Sequence, residues 1–348
     1  MYTTTPDGEK IIISSSIIRA LYHNGNEKIV CPLRFYEETL THKVERKPRP
    51  DRTNPLAHGI YFETHCLGGG RLGQQRLDLE RKAVSKKAMD EWNKKRVLAE
   101  QQGLPIPEMP KGLKLTYHER IDHQINQFKL KHKEYNMNII PDMNTQIRIY
   151  KRHPDPEMSH VLLRGDIDWL TNLTLPRPHD RTLSTDNVAL IDLKLTADVN
   201  NEHDFNGAVP WGKPERLDPT QLILYNELVR DIDYKLNEDL YTTLDGMEAG
   251  SSVKLKMLFE SIKNNIINEG NLLLLYWVFD YQKPEQNNRI IDVNPTQNRR
   301  KELYEGIRKT VRRIEEMRDD GFPTNPIDSI CKDCGVQNCR ERSVYTSI

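Results

Sequence analysis

The run Leu272-Leu273-Leu274-Leu275-Tyr276-Trp277-Val278-Phe279 constrains the fold more than any other stretch of this chain. A strand with one face in water alternates apolar and polar residues, whereas a run apolar at every position is buried on both faces. Such a strand needs neighbours on its edges and a layer of structure over each face, which helices packed on both sides of a sheet supply. The run is also well short of the ~20 apolar residues that cross a bilayer. Other segments provide the partners. Residues 146–150 and 160–170 alternate about a Pro154-Asp155-Pro156 turn and read as a β-hairpin, and 188–195 reads as a third strand. Leu222, Leu224, Tyr225 and Leu228 have helical spacing, as does the basic amphipathic stretch 304–317, stopped by Gly321 and Pro323. The expected class is α/β, a mixed central sheet flanked by helices.

Nearer the N-terminus, Ser14, Ser15 and Ser16 precede Ile17, Ile18 and Leu21, the pattern of a capped helix. Asn24-Gly25-Asn26 breaks it, and a second helix follows Cys31-Pro32 through Phe35 and Leu40. Residues 47–55, with three prolines, read as a loop, and 59–67 as a short helix ended by Gly68-Gly69-Gly70, with Glu63 at its middle. Residues 71–137 are helical and charge-rich, broken near 103–110, with Ile121, Ile125 and Phe128 at helical spacing. The 348 residues then form one elaborated domain. It has a helical N-terminal segment (10–45), a core split between 59–67 and 138–300, a helical insertion or arm (68–137), and a C-terminal helix with a cysteine segment (301–345).

With 36% hydrophobic and 29% charged residues, the composition is that of a globular protein, not a membrane or disordered one. Residues 1–20 lack a signal-peptide layout, so the expected compartment is the cytoplasm. Lys plus Arg and Asp plus Glu number 51 each, so no global field draws a polyanion and any nucleic-acid contact must be local. Two basic groups are candidates: Lys43, Arg46, Lys47, Arg49 and Arg52, and then Arg81, Lys82, Lys86, Lys87, Lys94, Lys95 and Arg96. Such groups are more commonly solvated helix faces than phosphate tracks.

The chemistry-bearing residues lie on the strands. Asp192 and Lys194, two apart, project to one side of their strand while Ile191 and Leu193 face the other. The preceding hairpin delivers Gly165-Asp166-Ile167-Asp168, again with two acids on one side. Asp168, Asp192 and the helical Glu63 would together make a set of hard oxygen ligands suited to Mg²⁺ or Mn²⁺, with Lys194 to stabilise developing negative charge. Taken alone, an Asp-x-Lys on a strand is a common solvated edge pair. Five cysteines in a cytosolic chain argue against a disulfide framework. Cys331, Cys334 and Cys339 crowd the C-terminus, and with Cys31 they give four thiolates, which suit either zinc or a [4Fe–4S] cluster.

Read in order, Ser14-Ser15-Ser16-Ile17-Ile18, Cys31-Pro32-Leu33-Arg34-Phe35-Tyr36, Gly59-Ile60-Tyr61-Phe62-Glu63, Gly165-Asp166-Ile167-Asp168, Ile191-Asp192-Leu193-Lys194, Gln221-Leu222-Ile223-Leu224-Tyr225 and the terminal cysteines form a series. The series resembles the RecB-like branch of the PD-(D/E)XK nucleases, which includes the nuclease domains of RecB and AddB and the CRISPR-associated adaptation exonucleases. The resemblance implies a restriction-endonuclease-like core and a metal-dependent exonuclease on single-stranded or frayed DNA. Glu63, Asp168 and Asp192 correspond to its metal ligands, Lys194 to its catalytic lysine, and Gln221 and Tyr225 to a pair that borders the substrate strand. Many relatives have histidine where Glu63 stands, so His65 is an alternative to Glu63, as Asp166 is to Asp168. The same resemblance assigns Cys31, Cys331, Cys334 and Cys339 to a [4Fe–4S] cluster joining the two ends of the chain. The gap from Cys334 to Cys339 is one residue shorter than the family's, and Cys66 is the reserve ligand. Processing of DNA in recombination, repair, phage or spacer-acquisition pathways follows as the expected setting. No Gly-x-x-x-x-Gly-Lys-Ser/Thr motif occurs, so unwinding would fall to a helicase or a recombination or adaptation partner. Competing readings are a non-catalytic DNA-end-binding or scaffold module of the same fold, and a zinc-stabilised defence endonuclease.

Overall fold

A computed structural model describes residues 10–23, 26–41, 55–68, 86–105, 107, 117–139, 144–177, 180–203, 209–244, 253, 256–258, 260, 272–282, 288–325, 336 and 339. In chain order the elements are β1 (Ile11–Ser14), α1 (Ser15–Leu21), a short pair β2 (Tyr22–His23) and β3 (Asn26–Glu27), and α2 (Pro32–Arg34), which runs on as a π-helical turn over Phe35–Leu40. Next come α3 (Pro55–Leu67), α4 (Lys86–Gln101), α5 (Tyr117–Glu134), β4 (Thr145–Arg152), β5 (Val161–Arg177) and β6 (Asp180–Thr196). The last are α6 (Thr220–Val229), α7 (Tyr234–Leu244), β7 (Leu272–Asp280), β8 (Arg289–Asp292) and α8 (Gln297–Asp319).

Six strands form a mixed sheet. β6 pairs antiparallel with β5 and parallel with β7, and β8 closes the far edge antiparallel to β7. β4 lies along one side of β5, and β1 runs parallel to its first residues on the other side. The N-terminal segment, expected as helices alone, therefore begins with a strand. Three successive β-branched isoleucines, Ile11, Ile12 and Ile13, favour the extended backbone, and all three are buried.

Both faces of the sheet are covered, which is what a fully apolar β7 requires. Tyr276 and Val278 join the core formed with α1, α6 and α8, while Trp277 and Phe279 join a second core with α3 and α5. Ile121, Ile125 and Phe128 of α5 join that core, where Phe128 packs against Trp169 and Trp277, each buried apolar side chain contributing about 1.5–3 kcal/mol relative to exposure. Within the expected 68–137 insertion, α5 is thus part of the layer over the sheet. In α4, by contrast, Lys94 and Lys95 are exposed, as a solvated helix face would have them. Lys43, Arg46, Lys47, Arg49, Arg52, Arg81 and Lys82 lie outside the described residues.

Thr296 caps α8, its hydroxyl accepting from Arg299 N at 3.3 Å, and Gly321 ends the helix at φ +72°, where a side chain would be strained. The chain then turns back on the N-terminal segment: Phe322 stacks on Tyr36 at 4.4 Å between ring centres, and Leu33 N donates to Pro323 O at 3.3 Å. Among the described residues no helix is long and apolar enough to cross a membrane.

Candidate active site

The site forms where β5 and β6 part. Their pairing begins at Trp169 and Ile191, and β1 reaches only as far as Arg164, so residues 165–168 have no strand beside them on this edge. Asp168 fills the place of the missing partner: its Oδ2 accepts from Leu193 N at 3.0 Å. Asp192 and Lys194 share a side of β6, and Asp192 Oδ2 lies 2.5 Å from Lys194 Nζ. The Asp192 side chain is fully buried. Its other oxygen, Oδ1, accepts from Gln221 Nε2 at 2.7 Å, and the same amide nitrogen donates to the Tyr225 hydroxyl at 2.9 Å. Tyr225 Oη in turn donates to Asp166 O at 2.5 Å, tying α6 to β5. That contact depends on Gly165, because any Cβ there would lie 2.5 Å from Leu228 and 2.8 Å from the Tyr225 ring.

Glu63 arrives from α3, in the opposite layer, and accepts from Gln146 Nε2. Gln146 has φ +52°, a region few non-glycine residues occupy, and β4 loses its pairing with β5 at this one position. Burial raises the Glu63 pKa to about 7; nearby Asp192 adds to the rise and Lys194 offsets part of it. Burial likewise pushes the Asp168 carboxyl well above its ordinary value, with Glu63 and Asp192 adding repulsion. For Lys194 burial acts downwards, but the attraction of Asp192 and Asp168 outweighs it and the ammonium is held above its usual pKa. Three carboxylates facing one ammonium would, if all were ionised, leave two negative charges uncompensated; burial is the main cause of the upward shifts, and repulsion among the acids adds to it.

Glu63, Asp168, Asp192, Lys194, Gln221 and Tyr225 therefore lie together in one site. The two alternatives do not. Asp166 pairs with Arg148 and with Arg164 Nη2, the latter at 3.0 Å, and His65 is exposed, with Nδ1 2.8 Å from Tyr61 O. Cys31 is buried, and its Sγ accepts from Asn325 N at 3.5 Å, a few residues before the C-terminal cysteines. Cys339 is partly exposed, while Cys331 and Cys334 lie outside the described residues. Cys66 is buried near Glu63, and burial pushes its thiol pKa well up, which disfavours the thiolate a ligand needs. Tyr276, Trp277 and Phe279 are core residues. Two site residues had no signal in the sequence: Gln146, and Arg19, whose Nη2 donates to Gln221 Oε1 at 3.1 Å.

A divalent cation fits this set in charge and in donor type, since carboxylate oxygens are its preferred ligands and two positive charges match the excess. As they stand, the acids are turned to protein partners, and among the described residues no three His, Cys, Asp or Glu side chains are gathered into a finished cage.

No family model and no curated protein matches the chain. Among solved structures it is similar to that of a candidate exonuclease from Eubacterium rectale, with 15% identity over 94% of this chain and 87% of the other and a TM-score of 0.44. So distant a likeness carries no argument about chemistry.

Proposed function

We propose that the chain is a metal-dependent DNA nuclease of the PD-(D/E)XK kind, acting as an exonuclease on single-stranded or frayed ends. One observation carries the reading: Glu63, Asp168, Asp192 and Lys194, drawn from three separate parts of the chain, meet at the parting of two strands, three carboxyls to one ammonium. Glu63, Asp168 and Asp192 would hold Mg²⁺ or Mn²⁺, which when bound polarises a phosphate and neutralises charge on the leaving oxygen. Lys194 keeps its proton, and its ammonium, aimed by Asp192, stabilises negative charge growing on the phosphate and orients the attacking water. Gln221 and Tyr225 hold Asp192 in place and border the substrate strand. A helicase or a recombination or adaptation protein would supply unwound ends.

The reading includes a [4Fe–4S] cluster on Cys31, Cys331, Cys334 and Cys339, with zinc as the alternative metal. Its support is the approach of the C-terminal segment to the Cys31 thiol. Such a cluster would clasp the core between the chain's two ends, and its binding energy would be folding energy.

The test uses anaerobically purified protein beside Lys194→Ala, each given single-stranded DNA labelled at the 5′ or the 3′ end, or a single-stranded circle, with Mg²⁺ or Mn²⁺. Cleavage of linear DNA by the parent alone is expected, and the order of label loss gives the polarity. Cleaved circles would make the protein an endonuclease, and equal background from both folded proteins would overturn the enzyme reading. Iron and zinc analysis of the same samples, with Cys31→Ser as control, decides the cluster.

A further inference from the structure

We infer that Arg19 is a positioning residue that sets the orientation of the Gln221 amide and, through it, the division of the two Asp192 oxygens between a hydrogen bond from Gln221 and an ion pair with Lys194. Only the kinetic consequence of this inference rests on the nuclease reading; the structural consequence does not.

Arg19 lies on α1, half-buried, with Nε donating to Ser15 O at 3.4 Å and Nη2 to Gln221 Oε1 at 3.1 Å. A glutamine side chain has two orientations of nearly equal shape that exchange its oxygen and its nitrogen, and only hydrogen-bonding partners tell them apart. A guanidinium has donors only and remains charged throughout the range a protein tolerates, so it accepts one orientation and rejects the other. With Oε1 held by Arg19, Nε2 faces Asp192 Oδ1 and the Tyr225 hydroxyl. The hydroxyl oxygen then accepts one hydrogen bond, and its O–H donates another to Asp166 O. Every hydrogen bond in the chain from Arg19 to Gln221, and from there to Asp192 and to Tyr225, runs in one direction, fixed at its origin by the arginine.

The division at Asp192 follows. Oδ1 is committed to Gln221, which leaves Oδ2 for Lys194. A flipped amide would set Oε1 against the carboxylate, acceptor to acceptor, and Asp192 could then turn away from the lysine. Arg19 is well placed for the task because Lys28 Nζ donates to its backbone oxygen at 2.6 Å, steadying the end of α1 without using the guanidinium.

The deciding variant is Arg19→Met, which keeps the packed aliphatic stem and removes the donors. In protein carrying ¹⁵N at glutamine side chains, the Gln221 amide is identified by its loss in Gln221→Leu. The parent should give two N–H signals displaced from free-amide positions and slow to exchange with solvent, and Arg19→Met should move both towards free-amide positions and speed their exchange. In cleavage assays Arg19→Met should lower kcat about tenfold, the scale of one hydrogen bond to a charged group, with KM nearly unchanged. In a Gln221→Ala background the same change should cost less than about twofold, because the residue it acts through is gone. Unchanged amide signals in Arg19→Met, or an equal loss of kcat in both backgrounds, would overturn the inference. A parent without metal-dependent cleavage would sink the nuclease reading alone, and the amide signals would still decide for or against Arg19.

Discussion

Alanine at Gly165 would bring a methyl group to 2.5 Å from Leu228 Cδ1 and to 2.8 and 2.9 Å from two carbons of the Tyr225 ring. Relaxed carbon contacts lie at about 3.5–4.0 Å, so α6 and β5 must separate by a large part of an ångström at this point. The tip of Leu228 can rotate, but the Tyr225 ring cannot give way freely, because its hydroxyl is held by Asp166 O and Gln221 Nε2. Overpacking of a well-packed core costs about 1–3 kcal/mol, and contact on two sides places Gly165→Ala in the upper part of that range, about 2–3 kcal/mol. For a chain of this size that lowers Tm by about 3–4 °C. Leu228→Ala alone should cost about 2–5 kcal/mol by opening a cavity, yet it also vacates the space the new methyl needs. The double variant should therefore be more stable than the sum of the singles by about 1 kcal/mol or more. Chemical denaturation of the metal-free proteins gives these values directly. Gly165→Ala within about 0.5 kcal/mol of the parent, or strict additivity in the double variant, would refute the close approach of α6 to β5 on which the site's geometry depends.

Two further outcomes are expected. Because the Glu63 pKa rises from 4.5 to about 7 on folding, the native metal-free protein binds more protons than the unfolded chain between those values. Its stability should fall as pH rises through that window, and Glu63→Gln should flatten the fall; a parent whose Tm in chelator stays level or climbs there contradicts the assignment. Glu227 is buried on α6 and accepts from Arg300 Nε and Nη2 at 2.6 and 3.0 Å and from Tyr304 Oη at 3.0 Å. Glu227→Ala should cost about 2–3 kcal/mol in urea unfolding, less than a fully buried pair because Arg300 retains access to water; a loss below about 1 kcal/mol would show that α8 does not hold α6 through this pair.

The parts of the fold legible in the sequence are those where one period persists. β7, with apolar residues at every position, demanded cover on both faces and has it, and the alternation at 146–150 and 160–170 marked β4 and the start of β5. The strands at 11–14 and 289–292 escaped because four residues are too few to establish a period against neighbouring helix signals. The β5–β6 hairpin runs on to Arg177 and resumes at Asp180, beyond the expected ends at Leu170 and Val188. The added stretch is mostly polar and contains Pro176, and its alternation is confined to Leu173 and Leu175, too short a run to mark a strand. For α5 the spacing of Ile121, Ile125 and Phe128 showed an apolar face but not the surface it covers, since nothing local specifies Trp169 and Trp277 as its partners.

The site divides in the same way. Asp192 and Lys194 are close in sequence and their shared side follows from the two-residue period alone, whereas Arg19 meets Gln221 across 202 positions that no local pattern spans. The pair Asp166 and Asp168 is the instructive case, because the period that places both on one side of β5 cannot choose between them. Tertiary charge makes the choice. Arg148 and Arg164 lie against the Asp166 carboxylate and satisfy it. Asp168 sits where the neighbouring strand is missing, with a backbone N–H for a partner and with Glu63 and Asp192 repelling it. Lys194, already paired with Asp192, offsets the Asp168 charge only in part, and burial together with that repulsion pushes its carboxyl towards the protonated form unless an external cation is present. A carboxylate already matched by two arginines has no such need, which makes Asp168 and not Asp166 the expected ligand.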